Sequence, residues 1–399
     1  MKKTAWESSV QRFGLLLCFA LVWGSEGKAQ VALGVTEKEI VIGSCAALEG
    51  PSRFLGRETV AGAEAYFRMA NEEGGVHGRK LKLVSFDDNY DPEKAQGCWD
   101  KLMADKPFAL GFFVGTPTAV KYVPLAEKNQ IPIVGLFTGA QTLYTPLRHW
   151  VVNVRASYFD ETRAQVDGLW KDLHYKKIGI IYPDDPFGST VLAGVEAALT
   201  ANGGSLVASA SYQRQTNETS GAIDKVKAAN PDAVIVVGPS NTVAPIVKQA
   251  HGKGWKPLFV TVSFVGTDDL IQQAGDDADG MVITQVVPPY YLTDLKTVAL
   301  YRRTMLKYEP DSKPNFVSLE GFVDAMVLVE GLKRAGKELT REGLIKGIES
   351  IHEWDAGLGP DLKVDYSAKD HKGFEHVIPT VVRGGRAVPF TDWKIVMQK

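Results

Sequence analysis

From Glu39 onward the chain alternates two kinds of segment. Short apolar, often β-branched runs are followed by stretches in which apolar positions recur every three or four residues. EIVIGSC (39–45) reads as a strand. ETVAGAEAYFRMANEEGG (58–75) reads as a helix, with Ala61, Ala65 and Met69 on one face and Gly74-Gly75 as its stop. RKLKLVSFDD (79–88) is the next strand and PEKAQGCWDKLM (92–103) the next helix, with Pro92 in its first turn. FALGFFV (108–114), the helix GTPTAVKYVPLAEKNQ (115–130) and IPIVGLF (131–137) complete a first series. Strands and helices in this alternation predict a parallel sheet with right-handed crossovers.

The pattern then restarts. KKIGIIY (176–182), FGSTVLAGVEAALTANGG (187–204), SLVASASY, SGAIDKVKAAN, DAVIVVG, NTVAPIVKQAHGKG and KPLFVTV form a second series of similar size. No low-complexity linker separates the two, and the joint at 152–155 has no floppy composition. After Pro288-Pro289 comes a helical region that includes SLEGFVDAMVLVEGLKRAG (318–336); the tail from Trp354 reads as short strands and turns. The expectation is an α/β chain of two doubly wound parallel-sheet lobes with a ligand cleft between them. Residues 30–154 with about 288–353 form lobe 1, and 155–287 with about 354–399 form lobe 2.

The N-terminus departs from this pattern. Lys2, Lys3 and Arg12 precede the apolar run GLLLCFALVW (14–23), and GSEGKA follows. This is the charged, apolar and small-residue order of a secretory signal, with a cut after Ala29 leaving Gly27 and Ala29 at the small positions. The run is too short to span a bilayer comfortably. Residues 1–29 are therefore read as a signal peptide and the mature chain as periplasmic. Two cysteines remain, Cys45 at the end of the first strand and Cys98 early in the second helix. An oxidising compartment permits a bridge; two buried thiols are the alternative.

A net charge of -2 offers no basic face for nucleic acid. The helix start GTPT lacks the lysine of a nucleotide-binding loop, and no G-x-G-x-x-G follows the first strand. The seven histidines have no metal-ligand spacing. No nucleophile–base set is legible, so no enzyme, cofactor or metal is expected. The acid pairs Asp87-Asp88 and Asp184-Asp185 read as turn and cap residues.

What remains is a set of loops at the carboxyl ends of strands, where wound sheets bind ligands. They are LEGPSRFLG (48–56), VGTPT (114–118), FTGAQ (137–141), RASYFDE (155–161), YPDDPFG (182–188), VGPSN (237–241) and VSFVG (262–266). A helix start exposes unpaired N–H groups and positive partial charge, so Gly115 and Thr116, with Thr118 nearby, suit a carboxylate. The alternative is that Thr116 merely caps the helix.

At these residues the chain resembles the type I periplasmic solute-binding proteins of ABC importers, in particular the leucine/isoleucine/valine-binding proteins. The resemblance is carried by IGSCAALEGPSRFLG, GAEAYFRMANEEGGVHGRKLKLVSFDDNYDP, PLAEKNQIPIV, YPDDPFG and SLEGF, in order over nearly the whole chain after residue 30. It implies two lobes joined by three crossovers, closing on an amino-acid-like or carboxylate-bearing ligand that is delivered to a membrane permease by a monomer. Delivery to a sensory receptor is the alternative use. By position, Gly115-Thr116 match the carboxylate site, Phe137, Thr138 and Gly139 the loop that serves the ligand's ammonium, and Phe187 the aromatic lid. Tyr158 lies beside the hinge, and Phe54, Phe187 and Phe264 are candidates to cover an apolar part.

Two departures stand out. Ser263 occupies the place of the family's ammonium-binding glutamate, and a hydroxyl cannot neutralise a buried ammonium. Glu49, Asp184 or Asp185 could take its place; otherwise the ligand is an aliphatic or aromatic acid without an amino group. Tyr90 stands where those proteins carry a disulfide cysteine, so a Cys45–Cys98 bridge would be a different one.

Overall fold

The computed structural model describes residues 33–216 and 218–398, so the segment read as a signal, and its cut site, lie outside the described residues. The first series gives β1 (Glu39–Ala46), α1 (Arg53–Glu72), β2 (Lys80–Asp87), α2 (Ala95–Ala104), β3 (Ala109–Gly111), α3 (Thr116–Asn129), β4 (Ile133–Val134) and β5 (Val151–Val152). The second gives α4 (Tyr158–Asp167), β6 (Ile178–Pro183), α5 (Pro186–Ala201), β7 (Ala208–Tyr212), α6 (Ser220–Ala228), β8 (Ala233–Val236), α7 (Ser240–Gly252), β9 (Leu258–Thr261), α8 (Thr267–Ala274) and β10 (Val282–Gln285). Helices α9 (Lys296–Tyr308), α10 (Phe316–Arg334) and α11 (Arg341–Glu349) follow, then β11 (Trp354–Asp355), β12 (Lys363–Val364), β13 (Ile378–Arg383) and β14 (Arg386–Pro389).

The first sheet has the order β2-β1-β3-β4-β5 and is parallel throughout. The second runs β14-β13-β10-β9-β8-β6-β7; β6 to β10 are parallel and β13 joins β10 antiparallel, Val282 opposite Val381. The chain reverses its direction of winding beside β1 in one sheet and beside β6 in the other. Such switch points leave a crevice at the strands' carboxyl ends. The two wound sheets are those expected from the alternation.

Two boundaries differ from expectation. Helix α1 begins at Arg53 rather than near Glu58. Leu55 and Thr59 are buried on the same face as Ala63, Tyr66 and Ala70, so the amphipathic stripe extends one turn further and places Phe54 on the helix. The tail also divides. β13 and β14 complete the second sheet, but Leu358, Leu362, Val364, Tyr366 and Phe374 are buried in the core of the first, beside Val298, Tyr301 and Phe322. Two-residue strands cannot shield their own apolar side chains, and helices α9 to α11 offer the cover.

Three segments, 153–157, 286–295 and 365–377, carry the chain between the sheets. The first and third are tied: Asn153 N–H donates to His371 O at 2.8 Å, Gly373 N–H donates to Asn153 O at 2.9 Å, and the Tyr366 hydroxyl donates to Asn153 O at 3.0 Å. Cys45 and Cys98 are bridged, their Cα atoms 6.2 Å apart, pinning α2 to the end of β1.

Candidate ligand-binding site

Helix α3 starts at the switch point of the first sheet. Its N-cap is Gly115, whose φ of +91° suits glycine, and no side chain among the described residues caps the first turn. The first N–H groups of a helix have no partner within it. The Thr116 hydroxyl does not cap; it pairs with the Thr138 hydroxyl at 2.7 Å, and Thr138 in turn donates to the Tyr158 hydroxyl at 3.3 Å. Thr118 turns back to Val114 O at 2.7 Å and is a helix residue, not a ligand donor.

An aromatic wall built from both sheets adjoins this start. Phe264 lies 4.7 Å from Phe187, 5.7 Å from Phe137 and 5.8 Å from Tyr90 between ring centres, and Phe187 lies 5.2 Å from Tyr158. All are buried. Local chemistry sets them there. Asp185 caps α5 by accepting from Gly188 N–H at 2.9 Å, which fixes Phe187 in the first turn. Ser157 and Asp160 form a capping box at the start of α4, which fixes Tyr158. Beside the wall, Tyr90, Phe187, Asp185, Tyr212 and Arg214 line a small pocket of about 10 Å³, room for about one water.

Behind the wall is a buried ion cluster. Arg155, on the first linking segment and 1% exposed, donates to Glu161 Oε1 at 2.7 Å and to Glu320 Oε1 at 3.1 Å. It also donates to the Ser263 hydroxyl. Glu161 is saturated: Oε1 accepts from Ser263 Oγ at 2.9 Å, and Oε2 from Ser263 N–H at 2.8 Å and Thr284 Oγ1 at 2.6 Å. Burial works against the Arg155 charge, but Glu320 and Glu161 outweigh it and hold the guanidinium protonated. Burial, only partly offset by Arg155, pushes Glu320 up to about 7. Burial and then the Glu320 charge raise Asp324, one turn along α10, well above the usual carboxylate range.

The structure thus brings together Gly115, Thr116, Phe137, Thr138, Gly139, Tyr158, Phe187 and Ser263. The carbonyls of the 137–139 loop are each engaged: Phe137 O accepts from Gly115 N–H at 3.1 Å, Thr138 O from Asn153 Nδ2 at 3.0 Å, and Gly139 O from Tyr158 N–H at 2.8 Å. Ser263 braces Arg155 and Glu161 rather than standing as a lone hydroxyl. Phe54 lies at the rim, half-buried in a groove with Arg57, Asn241 and Gln273. Glu49 is not with the others: it is exposed and paired with Arg57 at 2.6 Å, because Leu48 and Glu49 N–H groups bind Asp87 and turn its side chain outward. Asp184 is exposed, and Asp185 is occupied by its cap and by Arg214 at 3.0 Å.

Reading the sequence alone left out Tyr90, Arg155, Glu161 and Glu320 as site residues. Arg155 and Glu161 stand at the two ends of RASYFDE, but nothing in one sequence links Arg155 to Glu320, 165 positions away. Tyr90 was visible only as a cysteine's replacement.

A family model described as periplasmic binding protein matches residues 39–386. A structure titled as a possible leucine/isoleucine/valine-binding protein from Rhodopirellula baltica is 31% identical, with a TM-score of 0.86, and the match covers 91% of this chain and 98% of that one. An amino acid binding protein of Pseudomonas aeruginosa is 25% identical over 358 residues, 86% of this chain and 93% of that protein. The Leu/Ile/Val-binding protein of Escherichia coli is 23% identical over 271 residues, 67% of this chain and 71% of that protein.

Proposed function

The chain belongs to the periplasmic binding protein family, and on that premise we propose that it is an exported solute-binding protein that encloses a small carboxylate-bearing ligand between two lobes and delivers it to an ABC-type permease. The lobes are residues 33–154 with 288–374 and 155–287 with 378–398, a division that follows the two sheets and, for the tail, the burial of Leu358 to Phe374 with the helices of the first. The protein acts as a monomer and as a carrier, not an enzyme. Its open form offers the α3 start; a ligand that touches both lobes favours closure about the three linking segments, through its greater affinity for the closed state.

The observation that carries this reading is the uncapped start of α3, with the Thr116–Thr138 hydroxyl pair, adjoining an aromatic wall drawn from both sheets. The first takes a carboxylate. The second takes an apolar body, worth roughly 25 cal/mol per Å² removed from water.

The charge balance favours an acid without an amino group. Among the described residues, Arg155 is one cation between two acids: Glu161, whose oxygens are filled, and Glu320, which burial raises to about 7, towards its neutral form. Glu161 and Glu320 share Arg155, Asp185 holds Arg214, and burial favours the neutral form of Asp324. A buried ammonium would find no free anion, which is costly. The names of the relatives favour the second reading, an α-amino acid such as leucine or valine.

A thermal-shift panel on the mature protein, refolded to remove carried ligand, separates the two. It compares leucine and valine with 4-methylpentanoate and 3-methylbutanoate, and adds benzoate and phenylacetate. Binding at 100 times Kd stabilises by about 2.7 kcal/mol. The expected result is stabilisation by the acids lacking the amino group and none by the amino acids. The reverse result establishes the amino-acid reading.

A further inference from the structure

Tyr90 carries the strongest unexplained feature near the site. Tyr90 is 3% exposed, and its hydroxyl has no hydrogen-bond partner among the described residues. Buried hydroxyls are almost always partnered, so an orphan calls for an explanation. The backbone around it is thoroughly engaged. Asp88 accepts from Tyr90 N–H at 2.9 Å, and Arg214 and Gln215 donate to Tyr90 O at 2.7 and 3.1 Å, so the residue's backbone is held from the first series and from the second. The Arg214 guanidinium lies over one face, 4.8 Å from the ring centre, and Phe264 packs beside it.

The ring lies edge-on against the start of α3. A Cβ added to Gly115 would lie 2.0 Å from Tyr90 Cε2, 2.7 Å from Cδ2 and 3.0 Å from Cζ, so only glycine at the N-cap leaves the ring room. The ring that carries this unpartnered O–H thus packs against the N-cap of a 14-residue helix whose first N–H groups have no partner within it. Both kinds of donor want the same thing, an anion, and the nearby Thr116 hydroxyl is already occupied by Thr138. Burial also raises the phenol's pKa, which keeps the proton on the oxygen and the group a donor.

Resting on the carboxylate reading above, we infer that Tyr90 is a ligand-binding residue whose phenol donates a hydrogen bond to the ligand's carboxylate, jointly with the start of α3. The Cys45–Cys98 bridge secures the end of β1 separately.

The test is Tyr90→Phe, which removes one oxygen and keeps the ring. Affinities for phenylacetate and 4-methylpentanoate, and for the corresponding carboxamides, are measured by calorimetry in both proteins, together with the ligand-free melting temperature. Hydrogen bonds to charged groups are the strong class, so the acids weaken by roughly 10–100-fold in the variant. The carboxamides change little, so the acid-over-amide preference collapses. The ligand-free melting temperature stays level or rises, because no protein partner is lost. Equal acid affinity in the two proteins overturns the inference. So does a clear fall in ligand-free stability, which would give the hydroxyl a partner in the protein. If no acid binds the unsubstituted protein, the carboxylate reading itself fails and takes the inference with it, an outcome distinct from the other two.

Discussion

Arg155 and Glu49 show how little a residue's type says about its role. Both are charged and both lie in loops at strand ends. Arg155 is buried with two carboxylates, whereas Glu49 is two-thirds exposed with Arg57 beside it. Removing one member of a buried ion cluster leaves the rest uncompensated and costs about 3–5 kcal/mol; an exposed pair contributes about 0–1 kcal/mol. Arg155→Met is therefore expected to lower the urea midpoint by the larger amount, leaving Glu161 and Glu320 without a cation. Glu49→Gln should leave both the midpoint and the ligand affinity nearly unchanged. A Glu49→Gln protein with lost binding would restore that residue to the site. Ser263 belongs with Arg155: its hydroxyl and its N–H both serve Glu161.

Elements are held by features that single residues do not reveal. Helices α1 and α10 cross so closely that a Cβ on Gly62 would meet Ser318 O at 1.9 Å, and one on Gly321 would meet Thr59 O at 2.1 Å. That crossing seats α10 so that Glu320 and Asp324 reach the linking segment. On the other side, the Cys45–Cys98 bridge ties β1 to α2 across a sequence separation of 53. In the chain-entropy view a closed loop of that size stabilises by about 4 kcal/mol. The Cys45→Ser, Cys98→Ser double variant is expected to lose about 2–5 kcal/mol in denaturant titration. Its preference among the acids of the panel should persist, because the bridge joins β1 to α2 and no residue of the α3 start takes part in it. A change in that preference would mean that the bridge positions Tyr90.

At the scale of the whole molecule, the two bodies meet at Arg155, and the acids of α10 make that junction sensitive to pH. Glu320 is pushed up to about 7 and Asp324 well above its ordinary value, in both cases chiefly by burial. A raised acid binds its proton more tightly in the folded state. Its contribution is therefore fully present below the unfolded value and is lost as pH rises through the folded one. For Glu320 that window runs from about 4.5 to about 7. Asp324→Asn keeps the shape of the neutral acid and removes its titration. Its melting temperature should match that of the parent at pH 4 and exceed it increasingly towards pH 8. Asp88, raised to about 6 by burial, remains in both proteins and cancels from the difference. A constant gap across the range would show that Asp324 does not titrate within it.

The sequence by itself determined the alternation of strands and helices, the two wound sheets and the strand-end loops, because burial on two faces of a parallel sheet imposes a local periodicity. It also marked the open start of α3, since Gly115 and Pro117 act through their own backbone. Only the tertiary structure decided which charges meet. Arg155 with Glu320, Ser263 with Glu161 and Tyr90 with Gly115 are contacts between distant segments, and no period or spacing encodes them. The same holds for the tail, where β11 and β12 went to the first core and β13 to the second sheet. Hydrophobicity says that such strands must be covered, but only the packed molecule says by what.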